Sequence, residues 1–336
     1  MVPSSVAARL HRVAAHLAAR RWHASAAASA RLPTLLLHDP ACALHSAGIG
    51  HPERPDRFHS CLEALEAAYA AEGEGVWWVS EAPPATPEQI SRVHTDVYAK
   101  TLRTVLERAV DEDRAFALDG DTVAGPGTRD AVLRAAGGVC AAVDAVLGAE
   151  EGAGGARNAF CLVRPPGHHA EPDRAMGFCP PPSSPFPPNG TSLLRLRSAP
   201  AGFLNNVMIG AAHALACYEE IERVAIFDFD VHHGNGTASS ATARHTSSGK
   251  GEPPKDVLYL STHQHPFYPG TGEDLSSRVD GWYGVVNAPL GRGEGSAEFR
   301  AAVSDRILPS LRAFEPDLLI LSSVRAPHFL RRKLSC

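Results

Sequence analysis

No acidic residue precedes Asp39 and none follows Asp317 in this chain of 336 residues. Its seven cysteines (Cys42, Cys61, Cys140, Cys161, Cys179, Cys217 and Cys336) form no Cys-x-x-Cys pair. Without that spacing the thiols, scattered through candidate core segments, read as reduced and structural. No apolar run approaches the ~18 to 20 residues of a membrane-spanning helix, so a soluble protein is expected. No internal repeat is visible either, which favours one domain over an array. The acid-free start holds Arg9, Arg12, Arg20, Arg21 and Arg31, so a chain of net charge −5 carries −10 over its remainder. An acidic body argues against direct nucleic-acid binding.

Within the leader, Val6, Leu10, Val13 and Leu17 recur at helical spacing beside a stripe of Arg9, Arg12, His16 and Arg20, and Ala and Ser crowd the rest. That is the composition of an organellar transit peptide, assigned to residues 1–33, with mitochondrion and chloroplast both open. The alternative is a surface helix of a cytoplasmic or nuclear protein. Beyond the leader, 44% hydrophobic content suffices for a sizeable core. Short apolar runs near 34–37, 159–163, 223–229, 257–261, 283–286 and 318–322 read as strands. Between them, stretches near 57–70, 91–108, 130–147, 207–219 and 297–314 read as helices. Such alternation predicts an α/β fold, a single domain with a mostly parallel sheet covered by helices on both faces.

The chemistry is concentrated at 228–237, Asp-Phe-Asp-Val-His-His-Gly-Asn-Gly-Thr. The preceding run, RVAIFDF, is apolar and β-branched, as a strand buried on both faces requires. Asp230 and His232, two apart at its end, are expected to share a side and grip one metal ion, with Asp228 on the same side. Gly234 and Gly236 are expected to turn the backbone away, leaving the ligands at the mouth of the sheet. A second constellation, Arg-Pro-Pro-Gly-His-His-Ala at 164–170, follows the 159–163 strand. Adjacent histidines on a rigid loop suit a general-base pair, because imidazole titrates near neutrality. Either constellation alone is compatible with structural histidines; together they point to a metal site.

With these residues in view, the chain resembles the zinc-dependent histone deacetylase and acetylpolyamine amidohydrolase family, nearest its class II branch. The matching pieces run in family order: HPERPDR at 51–57, VHTDVY at 93–98, LDGDT at 118–122, RPPGHHA at 164–170, MGFC at 176–179, DFDVHHGNGT at 228–237, STHQHPFYPGTG at 261–272 and EPDLLILSS at 315–323. The resemblance implies an arginase/deacetylase-like fold and hydrolysis of N-acetyl-lysine in proteins, or of small N-acetylated amines. It implies that Asp230 and His232 are two of three zinc ligands and that His168 and His169 are the general base/acid pair, oriented by Asp228 and Asn235 respectively. Phe178 and Tyr268 would wall a tunnel for the acyl-lysine stem, Asp121 would hold the substrate backbone, and a structural potassium would lie around Asp228. An arginase-like dimanganese site would need more carboxylates than the sequence supplies.

The sequence also departs from the family. The family follows its last matching strand with a loop of the type Ala-Gly-Phe-Asp-Ala-His, whose Asp is the third zinc ligand, and carries a tyrosine further on; here Ser323 is followed by VRAPHFLRRKLSC. Residues 180–202, with seven prolines, split MGFC from the Asn205-Asn206 motif. The stretch 238–255 is expected to replace a short helical link with Ser, Thr and Gly. The deacetylase domain is placed at 34–323 with the Pro-rich insert inside it and a divergent tail at 324–336. Two readings stand: a zinc amidohydrolase in a truncated or mis-spliced form, and a catalytically inactive homologue acting by binding.

Overall fold

Two parallel sheets form from the apolar runs in the computed structural model, which describes residues 32–48, 51, 53–69, 75–118, 122–148, 155–176, 202–247, 256–273 and 284–324. In chain order the strands are β1 (Thr34–His38), β2 (Val76–Val79), β3 (Phe116–Ala117), β4 (Val123–Ala124), β5 (Asn158–Leu162), β6 (Arg223–Asp228), β7 (Asp256–Gln264), β8 (Val285–Leu290) and β9 (Leu318–Ser322). One sheet runs β2-β1-β5, the other β8-β7-β6-β9, and every pairing in both is parallel. The short β3-β4 pair is antiparallel. Where the sequence reads as one sheet, the described residues make two, because the outer edges of β5 and β9 pair with no strand among them. Those strands also carry exposed apolar side chains, Phe160, Leu319 and Leu321. An uncovered apolar edge of this kind favours association with other chains.

The helices are α1 (Pro55–Tyr69), α2 (Pro87–Ser91), α3 (Asp96–Asp111), α4 (Thr128–Leu147), α5 (Asn206–Cys217), α6 (Asn235–Ser247), α7 (Ser296–Ala302) and α8 (Leu308–Phe314), the last two joined by a π segment at Val303–Ile307. The helix expected over 91–108 runs instead over Asp96–Asp111, because α2, capped by Thr86 with Gln89, ends at Ser91 and Thr95 restarts the chain by accepting from the Tyr98 N–H. The 238–255 stretch, expected to lack a helix, is helical through Ser247. Alanine is the best helix former, and Ala241 is fully buried against Val257 and Tyr259. The β6-β7 strands are covered on both faces. Met208, Ala211 and Ala214 of α5 pack on Val224, Ile226 and Tyr259 from one side, and Ile307 and Phe314 pack on Ala225, Leu258 and Leu260 from the other. Each fully buried Leu, Ile or Met contributes roughly 1.5–3 kcal/mol, so the strand that ends in Asp228 is firmly anchored on both faces.

Residues 180–201 of the Pro-rich insert lie outside the described residues. Its last residue, Gly202, exchanges two backbone hydrogen bonds with Met176, at 3.0 and 3.2 Å, and the chain then enters the core at Phe203.

Candidate active site

Because the strands of each sheet run in one direction, the loops after β6, β7 and β9 leave from the same end. The β6 strand stops at Asp228, so strand alternation is not what brings Asp230 and His232 together. Successive carboxylates fold the turn instead: the Asp230 N–H donates to Asp228 Oδ1 at 3.0 Å, and the His232 N–H donates to Asp230 Oδ1 at 2.8 Å. The result sets His232 Nδ1 3.2 Å from Asp230 Oδ1, both side chains being buried. The glycines serve a different purpose from the one expected. Neither Gly234 nor Gly236 has positive φ. A Cβ at Gly236 would lie 2.1 Å from the Ala170 carbonyl oxygen, and one at Gly234 2.7 Å from Asp228 Oδ2. Their missing side chains let the two histidine-bearing loops touch.

On the neighbouring loop, His168 Nδ1 lies 2.8 Å from Asp228 Oδ2, and His169 Nδ1 lies 2.8 Å from Asn235 Oδ1. Both acceptors can only accept, so each Nδ1 carries a proton and each Nε2 faces inward. The Asn235 amide is itself oriented, its Nδ2 donating to Glu171 Oε1 at 2.8 Å. Both Nε2 atoms are buried without a hydrogen-bond partner. The two rings, 4.1 Å apart, are pushed in opposite directions. Burial lowers the pKa of His168, but the charge and hydrogen bond of Asp228 outweigh it and the net shift is upward. Burial and the neighbouring His168 and His232 hold His169 well below the ordinary histidine value. Burial would raise Asp230, yet the hydrogen bond from His232 and the nearby imidazoles lower it. A pair of titratable groups driven apart in this way is what acid/base chemistry needs.

Several contributors were not singled out from the sequence. Arg164 and Glu53 form a buried bidentate pair, both contacts at 2.6 Å, and Arg164 also donates to the Cys42 carbonyl at 2.7 Å. This ties HPERPDR to the base of the His168-His169 loop. A glutamate between His51 and Arg54 gives no local signal of it. Phe267 stacks on the His232 ring at 5.0 Å and 5°, beside Tyr268, whose ring stands edge-on to His169 at 5.1 Å and to His232 at 5.8 Å. Tyr259 donates to Asp228 Oδ2 at 3.4 Å. Phe178 and Asp121 lie outside the described residues.

The donor set fits a small divalent cation. His232 Nδ1 is buried 3.2 Å from Asp230 Oδ1, a separation that suits two ligands each ~2.0–2.2 Å from one tetrahedral zinc ion. Among the described residues, no group of three His, Cys, Asp or Glu side chains is placed to hold a metal. Past β9, the Val324 N–H donates to Asp230 Oδ2 at 3.0 Å while its carbonyl accepts from Arg57 at 2.7 Å. Val324 therefore lies directly over the carboxylate.

A parallel-stranded α/β fold with an Asp-His pair and two oriented imidazoles at its carboxyl rim defines the arginase/deacetylase class. The chain belongs to the histone deacetylase domain family, whose sequence profile matches residues 51–181 and 197–323. It is 32% identical over 301 residues to histone deacetylase 14, chloroplastic, of Arabidopsis thaliana, covering 88% of this chain and 63% of that protein. It is also 32% identical over 307 residues to the histone deacetylase-like amidohydrolase of Pseudomonas aeruginosa, covering 90% of this chain and 66% of the relative. The chain thus spans just under two thirds of both relatives. The crystal structure of the HDA15 HD domain superposes with a TM-score of 0.65 at 28% identity, over 87% of this chain and 72% of that one.

Proposed function

We propose that this site hydrolyses N-acetyl-lysine amides in proteins, or small N-acetylated amines, in a zinc-dependent reaction. The observation that carries the reading is the buried, unpaired Nε2 of His169 beside the Asp230-His232 pair. Asp230 and His232 would hold the zinc, which supplies Lewis-acid polarisation of the amide carbonyl and lowers the pKa of water. His169, with Nδ1 bound to Asn235, takes the proton from the attacking water at Nε2. His168, its pKa raised by the charge and hydrogen bond of Asp228, delivers a proton from its Nε2 to the departing amine. Acetate and a free amine result. Tyr268 walls the site on the side of both imidazoles. A second reading, a metal site that binds without turnover, is favoured by the lack of a third ligand among the described residues.

Zinc titration of the purified chain tests the assignment. One zinc per chain is expected in the wild type and in His169→Ala, and none in the Asp230→Ala, His232→Ala double variant. Retention of stoichiometric zinc by that double variant would sink the ligand assignment.

Residues 1–33 are proposed as a plastid transit peptide, on their acid-free, arginine-bearing composition and on the name of the chloroplastic relative. Fused to a fluorescent reporter, residues 1–45 should direct it into plastids and be cleaved. Diffuse cytosolic or nuclear fluorescence would count against the assignment.

A further inference from the structure

We infer that His233 and His263 are positioning residues that latch the loop 265–272, and so keep Phe267 and Tyr268 seated over the catalytic imidazoles. The inference rests on reading Tyr268 as a wall of the acyl-lysine site. Both imidazoles are buried, and neither belongs to the Asp230-His232 pair or to the His168-His169 pair. His263 lies one residue before the end of β7, with Nε2 2.9 Å from the Gly272 carbonyl oxygen. A carbonyl only accepts, so Nε2 carries the proton and Nδ1 accepts from the Ser261 hydroxyl at 2.9 Å. His233 Nδ1 lies 2.8 Å from Thr271 Oγ1, and the two rings pack 4.7 Å apart.

The end of the loop sits directly on these rings. Gly272 has φ +86°, a conformation that L side chains rarely adopt, and a Cβ there would lie 2.4 Å from His263 Nε2 and 2.7 Å from His233 Cγ. At its start, the loop is tied to β8 by the His265 N–H donating to the Leu290 carbonyl at 2.8 Å. Between these anchors the tip is a turn closed from the Gly270 N–H to the Phe267 carbonyl at 2.8 Å. Phe267 is 37% exposed even while stacked on His232. Its own packing therefore holds the tip weakly, and the imidazole latch supplies the remaining constraint. The placement of Tyr268 5.1 Å from His169 depends on it.

Amide exchange read by mass spectrometry on the full chain tests the latch without requiring turnover. In His263→Ala and in Thr271→Val, exchange over 265–273 should rise by about tenfold or more, while exchange over 164–170 stays at the wild-type rate. His263→Gln, whose amide nitrogen can still donate to Gly272, should restore most of the protection. Thr271→Val removes only a hydroxyl and serves as the reading if His263→Ala unfolds globally. In the kinetic arm, run on a chain given a loop of the Ala-Gly-Phe-Asp-Ala-His type after Ser323 and relieved of residues 180–202, KM for an acetyl-lysine peptide should rise about tenfold with kcat within about twofold, whereas a purely structural defect lowers the active fraction and leaves KM unchanged. Unchanged exchange over 265–273 in both variants overturns the latch. Raised exchange in the variants of that repaired chain, if it does not hydrolyse acetyl-lysine, overturns the hydrolase reading and leaves the latch standing.

Discussion

Grafting a loop of the Ala-Gly-Phe-Asp-Ala-His type after Ser323, with a tyrosine-bearing segment beyond it, and deleting residues 180–202 should together raise acetyl-lysine hydrolysis from background by at least ~10²–10³-fold, the usual worth of one oxyanion donor. Either repair alone should leave the rate near background. The structural grounds lie at Val324 and Met176. Val324 passes over Asp230 Oδ2 at 3.0 Å, so a carboxylate delivered shortly after it would arrive beside the Asp230-His232 pair and complete the three protein ligands usual for catalytic zinc. The excursion between Met176 and Gly202 starts and ends in a paired bridge, and Met176 Sδ lies 3.0 Å from Asn235 Nδ2, so the chain leaves and returns beside the Asn235 that orients His169. A fluorogenic acetyl-lysine peptide measures the outcome. Inhibitor-sensitive hydrolysis by a soluble, monodisperse unmodified chain would show that the site is already complete.

Acidification should destabilise the fold steeply well before the carboxylates protonate. His45 and His94 are buried and neutral, their pKa values pushed down to about 3 and about 4. For His45 the causes are burial, then the Arg164 guanidinium and His51; Glu53 Oε2 at 3.5 Å and the Thr128 hydroxyl at 2.9 Å are its other neighbours. For His94 burial dominates, over the opposing effect of the Glu171 and Pro172 carbonyls. Its Nε2 accepts from the Asn205 N–H at 3.0 Å and its Nδ1 faces the Glu171 carbonyl at 3.0 Å, so protonating Nε2 breaks the former contact. In the unfolded chain both groups bind protons near the ordinary value of 6.5. The unfolded state therefore holds more protons between pH 6.5 and 4. The stabilisation is complete above pH 6.5 and is lost as pH falls toward 4 and 3, with a slope of about 1.4 kcal/mol per pH unit for each histidine. Urea unfolding from pH 7.5 to 4.5 should show this slope, and the double variant His45→Gln, His94→Gln should be weaker at pH 7.5 but flatter below it. A wild-type stability independent of pH across that window would contradict the assignment.

How much of this was legible beforehand varies with the range of the interaction. The strand at 318–322 was readable as it stands, and those near 159–163 and 223–229 to within a residue, because an apolar run bounded by polar residues is a local signal. The proximity of Asp230 and His232 was also readable, but from the wrong cause. Their spacing of two suits a strand, whereas the turn that carries them is folded by side-chain carboxylates accepting backbone N–H groups. The helix through 235–247 was missed because Ser, Thr and Gly read locally as linker. Burying Ala241 against β7 overrides that preference.

Local pattern by itself pointed to the α/β class, to Asp230 and His232 as neighbours and to the two histidine-bearing loops, since these depend on residue type and short spacing, while the departures at 180–202 and after Ser323 came from the resemblance to the deacetylase family. Tertiary structure alone decided that Glu53 anchors Arg164 across 111 residues of chain, that the sheet divides at the open edges of β5 and β9, and that Phe267 and two further imidazoles shape the rim. Those contacts join segments far apart in sequence. A buried pair or an aromatic stack is stable only once the surrounding core excludes water from both partners at once, and no single stretch of sequence carries that condition.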